Sequence, residues 1–149
     1  MGMTVVVRLA HSRDLPALRE LFLEARRRTF HWQAAHTFQR DDFDKQTKGE
    51  RVWVTLEGET KLVGFIALWG PEHFIHHLYV DAAHVRRGIG ITLLRALPGW
   101  PGTSYRLKCL CRNEAALSFY RACGFNAIGH GTAEDGHYLL LEHAGKNGA

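Results

Sequence analysis

The sequence predicts one α/β (α+β) domain in which a mixed, mostly antiparallel sheet of about six or seven strands is flanked by about four helices. The chain has 149 residues, which fits one domain, and 46% of them are hydrophobic, which is enough for a buried core. No linker, internal repeat or low-complexity tract divides it. The apolar segments switch between a period of two and a period near 3.6 residues, so strands and helices share the chain.

The order of these segments is strand, helix, short helix, three strands, helix, strand, helix and two strands. Consecutive strands in the middle favour antiparallel hairpins, whereas the strand–helix–strand step from Val80 to Tyr105 favours a parallel crossover. We expect a single domain over residues 1–149, with its core at about 4–143 and a frayed tail at 144–149.

The first third of the chain predicts a strand, an amphipathic helix and a short second helix. The β-branched run Thr4–Ala10 is typical of a strand, and Ser12 or Asp14 can cap the helix that follows. A short helix is expected around Asp41–Gln46. In the long helix one face is apolar and the other is charged, which predicts burial of the first and exposure of the second. The apolar face comprises Leu15, Leu18, Leu21, Phe22 and Ala25, and the charged face comprises Arg19, Glu20, Arg26 and Arg27.

The middle of the chain predicts three strands in succession. Two are expected at about Arg51–Leu56 and Leu62–Trp69, on either side of a turn at Gly58. A third extended run, HFIHHLYV, ends at Val80.

The remaining elements are marked by their boundaries. A helix that begins within VRRGIGITLL (85–94) ends at the breaker cluster PGWPG, and the strand Tyr105–Cys111 follows. Asn113 is a typical N-cap and Gly124 a typical C-terminal stop, so a helix is expected between them. The segments NAIGHG and HYLLLEH close the domain as two strands.

Composition limits the class of function. The formal net charge of +4 favours anionic ligands mildly, and no basic helix face or aromatic RNA-binding signature indicates a nucleic-acid partner. No run of about 18 apolar residues occurs, so no membrane span is expected. The three cysteines form no disulfide framework and the first residues lack a secretory leader pattern, so we expect a cytoplasmic protein.

Cysteine and histidine patterns predict neither a thiol nucleophile nor a metal site. Cys109 and Cys111 lie two apart on one predicted strand, and we expect both to be small buried hydrophobes. The ten histidines show no metal-ligand spacing on one helix, so no bound metal is predicted.

The stretch VRRGIGITLL places two arginines and two glycines at the start of a helix. The first amides of a helix have no internal partner and carry partial positive charge, which makes them an anion site. Gly88 and Gly90 remove side chains there, and Arg86 and Arg87 add charge. The Lys-Ser/Thr pair of an ATP-binding loop and the third glycine of a dinucleotide fingerprint are absent. For the G-x-G pattern by itself, a tight turn without a ligand is the alternative.

Two motifs together resemble the GNAT superfamily of acyl-CoA-dependent N-acyltransferases. They are LYVDAAHVRRGIGITLL and, further on, NEAALSFYRACGF, and the order of elements matches from Thr4 to about His143. In that family the pattern [QR]-x-x-G-x-[GA] follows the fourth strand and binds the pyrophosphate of coenzyme A. Here its first position holds Val85, a departure for which Arg86 and Arg87 are expected to compensate in part.

The resemblance implies acetyl-CoA as the acetyl donor. It implies that the strands HFIHHLYV and YRLKCLC splay apart and that the pantetheine arm pairs with the backbone near Leu78, Tyr79 and Val80. An amide near Val80 would then stabilise the oxyanion of a tetrahedral intermediate. Asn113 either caps its helix only or also contacts the cofactor. The pyrophosphate would be held by the amides of Arg86, Arg87, Gly88, Ile89, Gly90 and Ile91.

The resemblance also implies a base and an acid for the transfer. The family often places a carboxylate on the fourth strand as the base, and His76 and His77 occupy the matching positions. Strand alternation puts one of them on each face unless a bulge intervenes, and we favour His76. Tyr120 matches the family's general-acid tyrosine, which protonates the departing thiolate. Ordinary sheet histidines and a core tyrosine are the alternatives.

The acceptor site implied by the family is built from the first helices and the late loops. Phe30, His31 and Trp32 would wall such a pocket, with Glu134 and Asp135 attracting a cationic amine. A packed loop and a solvated acidic turn are the alternative. The predicted function is transfer of an acetyl group directly to a primary amine of a small molecule or protein. A non-catalytic acyl-CoA-binding regulatory module is the alternative function, and a homodimer is compatible with the resemblance.

Overall fold

A computed structural model describes residues 4–145 and confirms the predicted fold class. Seven strands form one mixed, mostly antiparallel sheet in the order β1-β2-β3-β4-β5-β7-β6. The strands are β1 Val5–Leu9, β2 Arg51–Glu57, β3 Lys61–Trp69, β4 Phe74–Val80, β5 Tyr105–Leu110, β6 Asn126–Ala133 and β7 Gly136–His143. The helices are α1 Leu15–Thr29, α2 Asp42–Gln46, α3 Ile89–Arg95 and α4 Glu114–Ala122. Most of the predicted frayed tail lies outside the described residues.

The sheet has one apolar core on each face. Leu18, Phe22 and Phe43 of α1 and α2 cover one face, packed on Val54 and Phe65. The other core lies under α3 and α4, and it includes Leu93, Leu94, Leu117 and Tyr120. Within residues 4–145, no helix is both long and apolar enough to cross a membrane.

The prediction that Arg26 lies on an exposed helix face is wrong. Arg26 is only 7% exposed, because α2 packs against α1 at this point and supplies a partner. Its guanidinium donates to a carboxylate oxygen of Asp42 at 2.6 Å and lies 4.2 Å from the centre of the Phe22 ring. The 3.6-residue period of α1 carries no information about this neighbour, which comes from a different helix.

The single parallel contact, between β4 and β5, is very short. The two strands are paired only at Phe74 and Arg106, where the Arg106 amide donates to the His73 carbonyl at 3.1 Å. Toward Val80 the strands diverge, and β7 pairs with the other side of β5 over six positions, Tyr105–Leu110. The predicted splaying of the parallel pair is therefore present.

A bulge in β4 changes where its histidines point. Ala67 of β3 is opposite His77, whereas Leu68, the next residue, is opposite Ile75. His76 is therefore an extra residue in the strand, which suspends the alternation of side chains. As a result His76 and His77 line the same cavity.

Candidate active site

Two cavities meet in the gap between β4 and β5. The large cavity, of about 940 Å³, lies beside α3 and α4 and is lined by residues such as Val80, Arg86, Gly88 and Phe119. The small cavity, of about 320 Å³, lies on the α1 side of the gap. Leu78, Ala116 and Tyr120 line both cavities, so a ligand that crosses from one to the other passes Tyr120.

The loop before α3 has a backbone suited to an anion. Arg86 and Gly88 both adopt positive φ, of 64° and 78°, and left-handed residues build the amide concavities that bind anions. The first helical hydrogen bond runs from the Thr92 amide to the Gly88 carbonyl at 3.1 Å, so the amides of residues 89–91 precede it. Arg86, Gly88, Ile89 and Gly90 line the large cavity.

Gly88 and Gly90 are required in this loop for different structural reasons. Gly88 needs the left-handed conformation, for which a side chain is unfavourable. At Gly90, a Cβ atom would lie 2.7 Å from Cζ of Phe119 on α4, so the missing side chain lets α3 and α4 pack closely. Gly90 thus supports the shape of the large cavity as well as access to the backbone.

The free edge of β4 presents alternate peptide groups to the gap. Because the Asp81 amide donates to the Val63 carbonyl on β3, alternation directs the peptide groups of Tyr79 toward β3 and those of Leu78 and Val80 toward β5. The Val80 carbonyl accepts a hydrogen bond from Arg28 at 3.0 Å. Leu78 and Val80 are therefore the backbone positions that suit a ligand in the gap, while Tyr79 contributes its ring to the small cavity.

Tyr120 is the ionisable group at the junction of the cavities. It is 9% exposed, and burial raises the pKa of its phenol well above the ordinary value. Burial also raises the pKa of the neighbouring Cys109 thiol to about 11 and that of Tyr79 to about 12. All three groups are therefore uncharged at neutral pH, and Tyr120 holds a proton where a ligand would pass.

Two histidines line the small cavity, and the carboxylate of Glu50 contacts one of them from outside it. His76 is exposed, and its Nδ1 forms a short hydrogen bond with Oε2 of Glu50. The Glu50 side chain is only 3% exposed, and burial raises the pKa of its carboxyl in spite of His76. Burial lowers the pKa of His77 to about 3, so the His77 ring is neutral at pH 7.

Some of the other predicted site residues line a cavity, and the rest lie outside both cavities. Asn113 caps α4 by accepting from the Ala116 amide at 3.2 Å and also lines the small cavity. Phe30 lines the small cavity, whereas Trp32 packs against Phe30 and under the Arg112 guanidinium. Arg87 and Ile91 are not among the residues that line either cavity.

The late turn and the connection after α1 meet across the small cavity. Asp135 lines this cavity and accepts a hydrogen bond from Gln33 at 2.8 Å, whereas Glu134 is exposed in the turn.

The expectation that Cys109 and Cys111 are both buried is wrong for Cys111. The strand β5 ends at Leu110, and Cys111, the next residue, is exposed. Cys109 is buried, as expected.

Sequence reasoning missed Glu50 and Arg28. Glu50 directly precedes β2, and no local pattern shows that the register of β2, β3 and β4 brings it to His76. Arg28 lies in a run of three arginines at the end of α1. Which of them donates a hydrogen bond to the Val80 carbonyl depends on how α1 crosses the sheet, and in the structure it is Arg28. Both contacts are long-range, so only the folded chain reveals them.

Comparison with known proteins gives concordant results. The family model described as the acetyltransferase (GNAT) family matches residues 15–125. The peptidyl-lysine N-acetyltransferase YiaC of Escherichia coli is 28% identical over 129 residues, which are 83% of this chain and 84% of that protein. The N-alpha-acetyltransferase RimI of Mycobacterium tuberculosis is 41% identical over 59 residues, which are 39% of this chain and 37% of RimI.

A solved structure shows the same fold. The PaiA N-acetyltransferase of Thermoplasma acidophilum, determined in complex with coenzyme A, superposes with a TM-score of 0.78 at 19% identity, covering 95% of this chain and 99% of the other. The splayed strands, the glycine loop before α3 and the family match over most of the chain lead to one conclusion: this chain belongs to the GNAT family of acetyltransferases.

Proposed function

We propose that this protein transfers the acetyl group of acetyl-CoA directly to a primary amine. The observation that carries the proposal is the gap between β4 and β5, where a cavity of about 940 Å³ beside the glycine loop joins a smaller cavity at Tyr120. The two cavities provide separate approaches for an acetyl donor and an amine, which direct transfer requires.

The large cavity fits the donor. The amides of residues 89–91 and the Arg86 side chain would hold the pyrophosphate. The peptide groups of Leu78 and Val80 face the gap and would pair with the pantetheine arm, as an added strand does. The Val80 amide would then stabilise the oxyanion of a tetrahedral intermediate. The Val80 carbonyl accepts a hydrogen bond from Arg28.

His76 and Tyr120 would move the protons. An amine attacks only when it is neutral, so a base must take its proton, and His76 supplies an imidazole that Glu50 orients. The bond from the carbonyl carbon to sulfur then breaks, and Tyr120 donates its proton to the departing thiolate. The acceptor enters through the small cavity, past Phe30 and Asp135.

The relatives favour an amine carried by a protein. YiaC is named for transfer to peptidyl-lysine and RimI for transfer to an N-terminal amine. We propose that the acceptor here is of this class. The three cysteines are free thiols, which suits a reducing compartment, and we place the reaction in the cytoplasm.

Calorimetry followed by an amine screen tests the proposed function. We expect coenzyme A and acetyl-CoA to bind, and ATP and NAD at the same concentration to give no heat of binding. Turnover is then measured by release of the free thiol in the presence of lysine peptides, N-terminal peptides and polyamines. Binding of coenzyme A without turnover for any amine would favour the regulatory-module alternative.

Replacement of Tyr120 by Phe tests the proposed acid. Tyr120→Phe removes one hydroxyl and keeps the ring, so we expect an unchanged Kd for coenzyme A and a kcat lower by about 10²-fold or more. Tyr138→Phe is the matched control, since Tyr138 lies on β7 beside Lys108, away from the junction of the cavities. Equal kcat values for Tyr120→Phe and the native protein would remove Tyr120 from the mechanism.

A further inference from the structure

Three side chains with metal-binding atoms meet at the edge of the small cavity. One ligand atom from each of Glu50, His76 and His77 lies within 4.8 Å of the other two. Glu50 precedes β2, and the histidines are adjacent residues of the β4 bulge. Because the bulge turns both rings to one side, this cluster exists only in the folded chain and not as a spacing in the sequence.

Within residues 4–145, two of the three groups have a buried polar atom without a hydrogen-bond partner. The Glu50 side chain is 3% exposed, yet within residues 4–145 its Oε1 has no hydrogen-bond partner. In the same part of the chain Nε2 of His77 is also buried without a partner. Buried polar atoms without partners are rare in native proteins, and each one requires an explanation.

The His77 ring has a nitrogen that is available to bind a metal ion. Gln46 lines the small cavity together with this ring, and among the described residues Nε2 of the ring has no hydrogen-bond partner. A neutral imidazole that donates through one nitrogen presents a lone pair on the other, which is the arrangement of metal-binding histidines. The lone pair of Nε2 thus remains available to a ligand.

The ion pair between Glu50 and His76 does not by itself explain the cluster. It uses Oε2 of Glu50 and Nδ1 of His76 and leaves Oε1 and the His77 nitrogen without partners. Of the nearby cations, Arg26 pairs with Asp42 at 2.6 Å, although its Nε has no partner within residues 4–145. The Lys108 ammonium lies 5.0 Å from the centre of the Tyr138 ring. A cation from solution held by this cluster would give the Glu50 carboxylate and the His77 ring a common partner.

We propose that Glu50, His76 and His77 form a binding site for a divalent transition metal of the zinc type. Two imidazole nitrogens and one carboxylate are a donor set that zinc favours, with a fourth position left for water. Glu50 and His76 also line a hollow of about 420 Å³ that adjoins the small cavity through Gln46 and His76, so the ion can reach the site from solvent.

The bound ion inhibits acetyl transfer, a consequence that rests on the proposed function. A coordinated imidazole has no lone pair left to take the proton of an amine, so His76 cannot act as the base while the metal is present. Zinc and the acceptor amine therefore compete for the same side of the small cavity. Removal of the metal restores the base without altering the large cavity.

Titration with cobalt(II) chloride tests the site without reference to activity. We expect one equivalent of cobalt to give the visible absorption of a tetrahedral ion, displaced by one equivalent of zinc chloride. His77→Ala and Glu50→Gln should each weaken cobalt binding at least tenfold. His130→Ala, an exposed histidine on β6 at the far edge of the sheet, is the matched control and should bind as the native protein does.

Two further measurements keep the test decisive. Calorimetry with coenzyme A shows whether each variant is folded, and in the native protein zinc should shift the ring resonances of His76 and His77 and leave those of His130 unchanged. The site is overturned if cobalt is not bound stoichiometrically, or if folded His77→Ala binds it as tightly as the native protein.

The effect on activity is read in a separate assay. One equivalent of zinc should lower the transfer rate at least tenfold, and EDTA should restore it. A zinc-loaded protein that transfers acetyl at the full rate would overturn the inhibitory role. Failure of every amine in EDTA would instead contradict the proposed function, while the cobalt titration still reports on the metal site.

Discussion

Tyr120 combines burial with access to both cavities, and this combination suits an acid for a thiolate. Burial keeps the phenol protonated by raising its pKa, and it raises the pKa of the adjacent Cys109 thiol to about 11. A coenzyme A thiolate released into these surroundings is destabilised for the same reason as a Cys109 thiolate would be. The low polarity that makes Tyr120 hold its proton would therefore also make a coenzyme A thiolate in the proposed reaction a stronger base.

The pH dependence of kcat should reflect this raised pKa. A tyrosine of ordinary pKa is half ionised near pH 10, whereas Tyr120 titrates higher and remains a proton donor there. Of the groups that face it, Cys109 and Tyr79 have pKa values raised to about 11 and about 12, and burial also raises the pKa of the Cys123 thiol. A negative charge on any of them would raise the pKa of Tyr120 further. With acetyl-CoA and the accepted amine at saturation, kcat should not decline between pH 8 and about pH 10.

The profile of Tyr120→Phe provides the comparison for that measurement. Coenzyme A binding is measured at each pH to show that the protein stays folded. A fall in native kcat with a midpoint below pH 10, absent from the Tyr120→Phe profile, would show that the phenol ionises at its ordinary pKa and contradict the argument from burial.

At the scale of single residues, the sequence predicts groups that are carried by local motifs. Tyr120 is singled out by the family resemblance of its helix motif, and Gly88 by its place at the start of a helix, where a missing side chain leaves the amides open to an anion. Glu50 and the burial of Arg26 do not follow, because each depends on a partner from another element, His76 and Asp42 respectively. Side-chain pairs between distant segments are set by register and packing, which no local pattern specifies.

At the scale of elements, the large cavity depends on how closely α3 approaches its neighbours. A Cβ atom at Gly90 would lie 2.7 Å from Phe119 on α4, and one at Gly64 of β3 would lie 3.0 Å from Ile89 on α3. Glycines therefore allow contact on two sides of α3. The helix has only seven residues, so its position is determined by these contacts more than by its own propensity.

Gly90→Ala tests this dependence. Alanine favours the helix by about 0.5–1 kcal/mol, but overpacking costs about 1–3 kcal/mol, so the clash with Phe119 should dominate. Because the Phe119 ring lines the large cavity, its displacement should raise the Kd for coenzyme A at least tenfold in calorimetry. Gly70→Ala is the control, since a Cβ there has no neighbour within 4 Å.

A compensating change separates the packing effect from other causes. Gly90→Ala combined with Phe119→Leu removes the ring atoms that the new methyl group meets, and it should recover part of the lost affinity. If Gly90→Ala binds coenzyme A as tightly as Gly70→Ala, the close approach of α3 and α4 is not needed for the cavity.

The sequence predicts the elements themselves well, with their order and most of their ends. It leaves open the bulge at His76, because a one-residue insertion in β4 is defined only against its partner β3. It also leaves open the position of β7 between β5 and β6, since β6 is consecutive with β7 but β5 is not. Strand order and register are properties of pairs of strands, so a period within one strand cannot specify them.

At the scale of the molecule, the sheet consists of two parts with a weak junction. The strands β1 to β4 form one part, the strands β5, β7 and β6 form the other, and the ladder between them is a single pair, Phe74 and Arg106. The opening creates the large cavity, and among the described residues it leaves the peptide groups of Leu78 and Val80 without a hydrogen-bonded neighbour in β5. A ligand in the gap would complete the sheet and join the two parts.

Binding of coenzyme A should therefore stabilise the whole molecule and protect the free edge of β4. At a hundred times Kd, the ligand adds about 2.7 kcal/mol, which for a chain of this size raises Tm by about 5–10 °C. Hydrogen exchange at the Leu78 and Val80 amides should slow at least tenfold, since these amides face the gap. The His130 amide, on the outer strand β6, provides an internal reference, because its edge of the sheet lies far from the gap. A rise in Tm with equal slowing at His130 would mean that the ligand stabilises the fold globally, and that β4 does not pair with it.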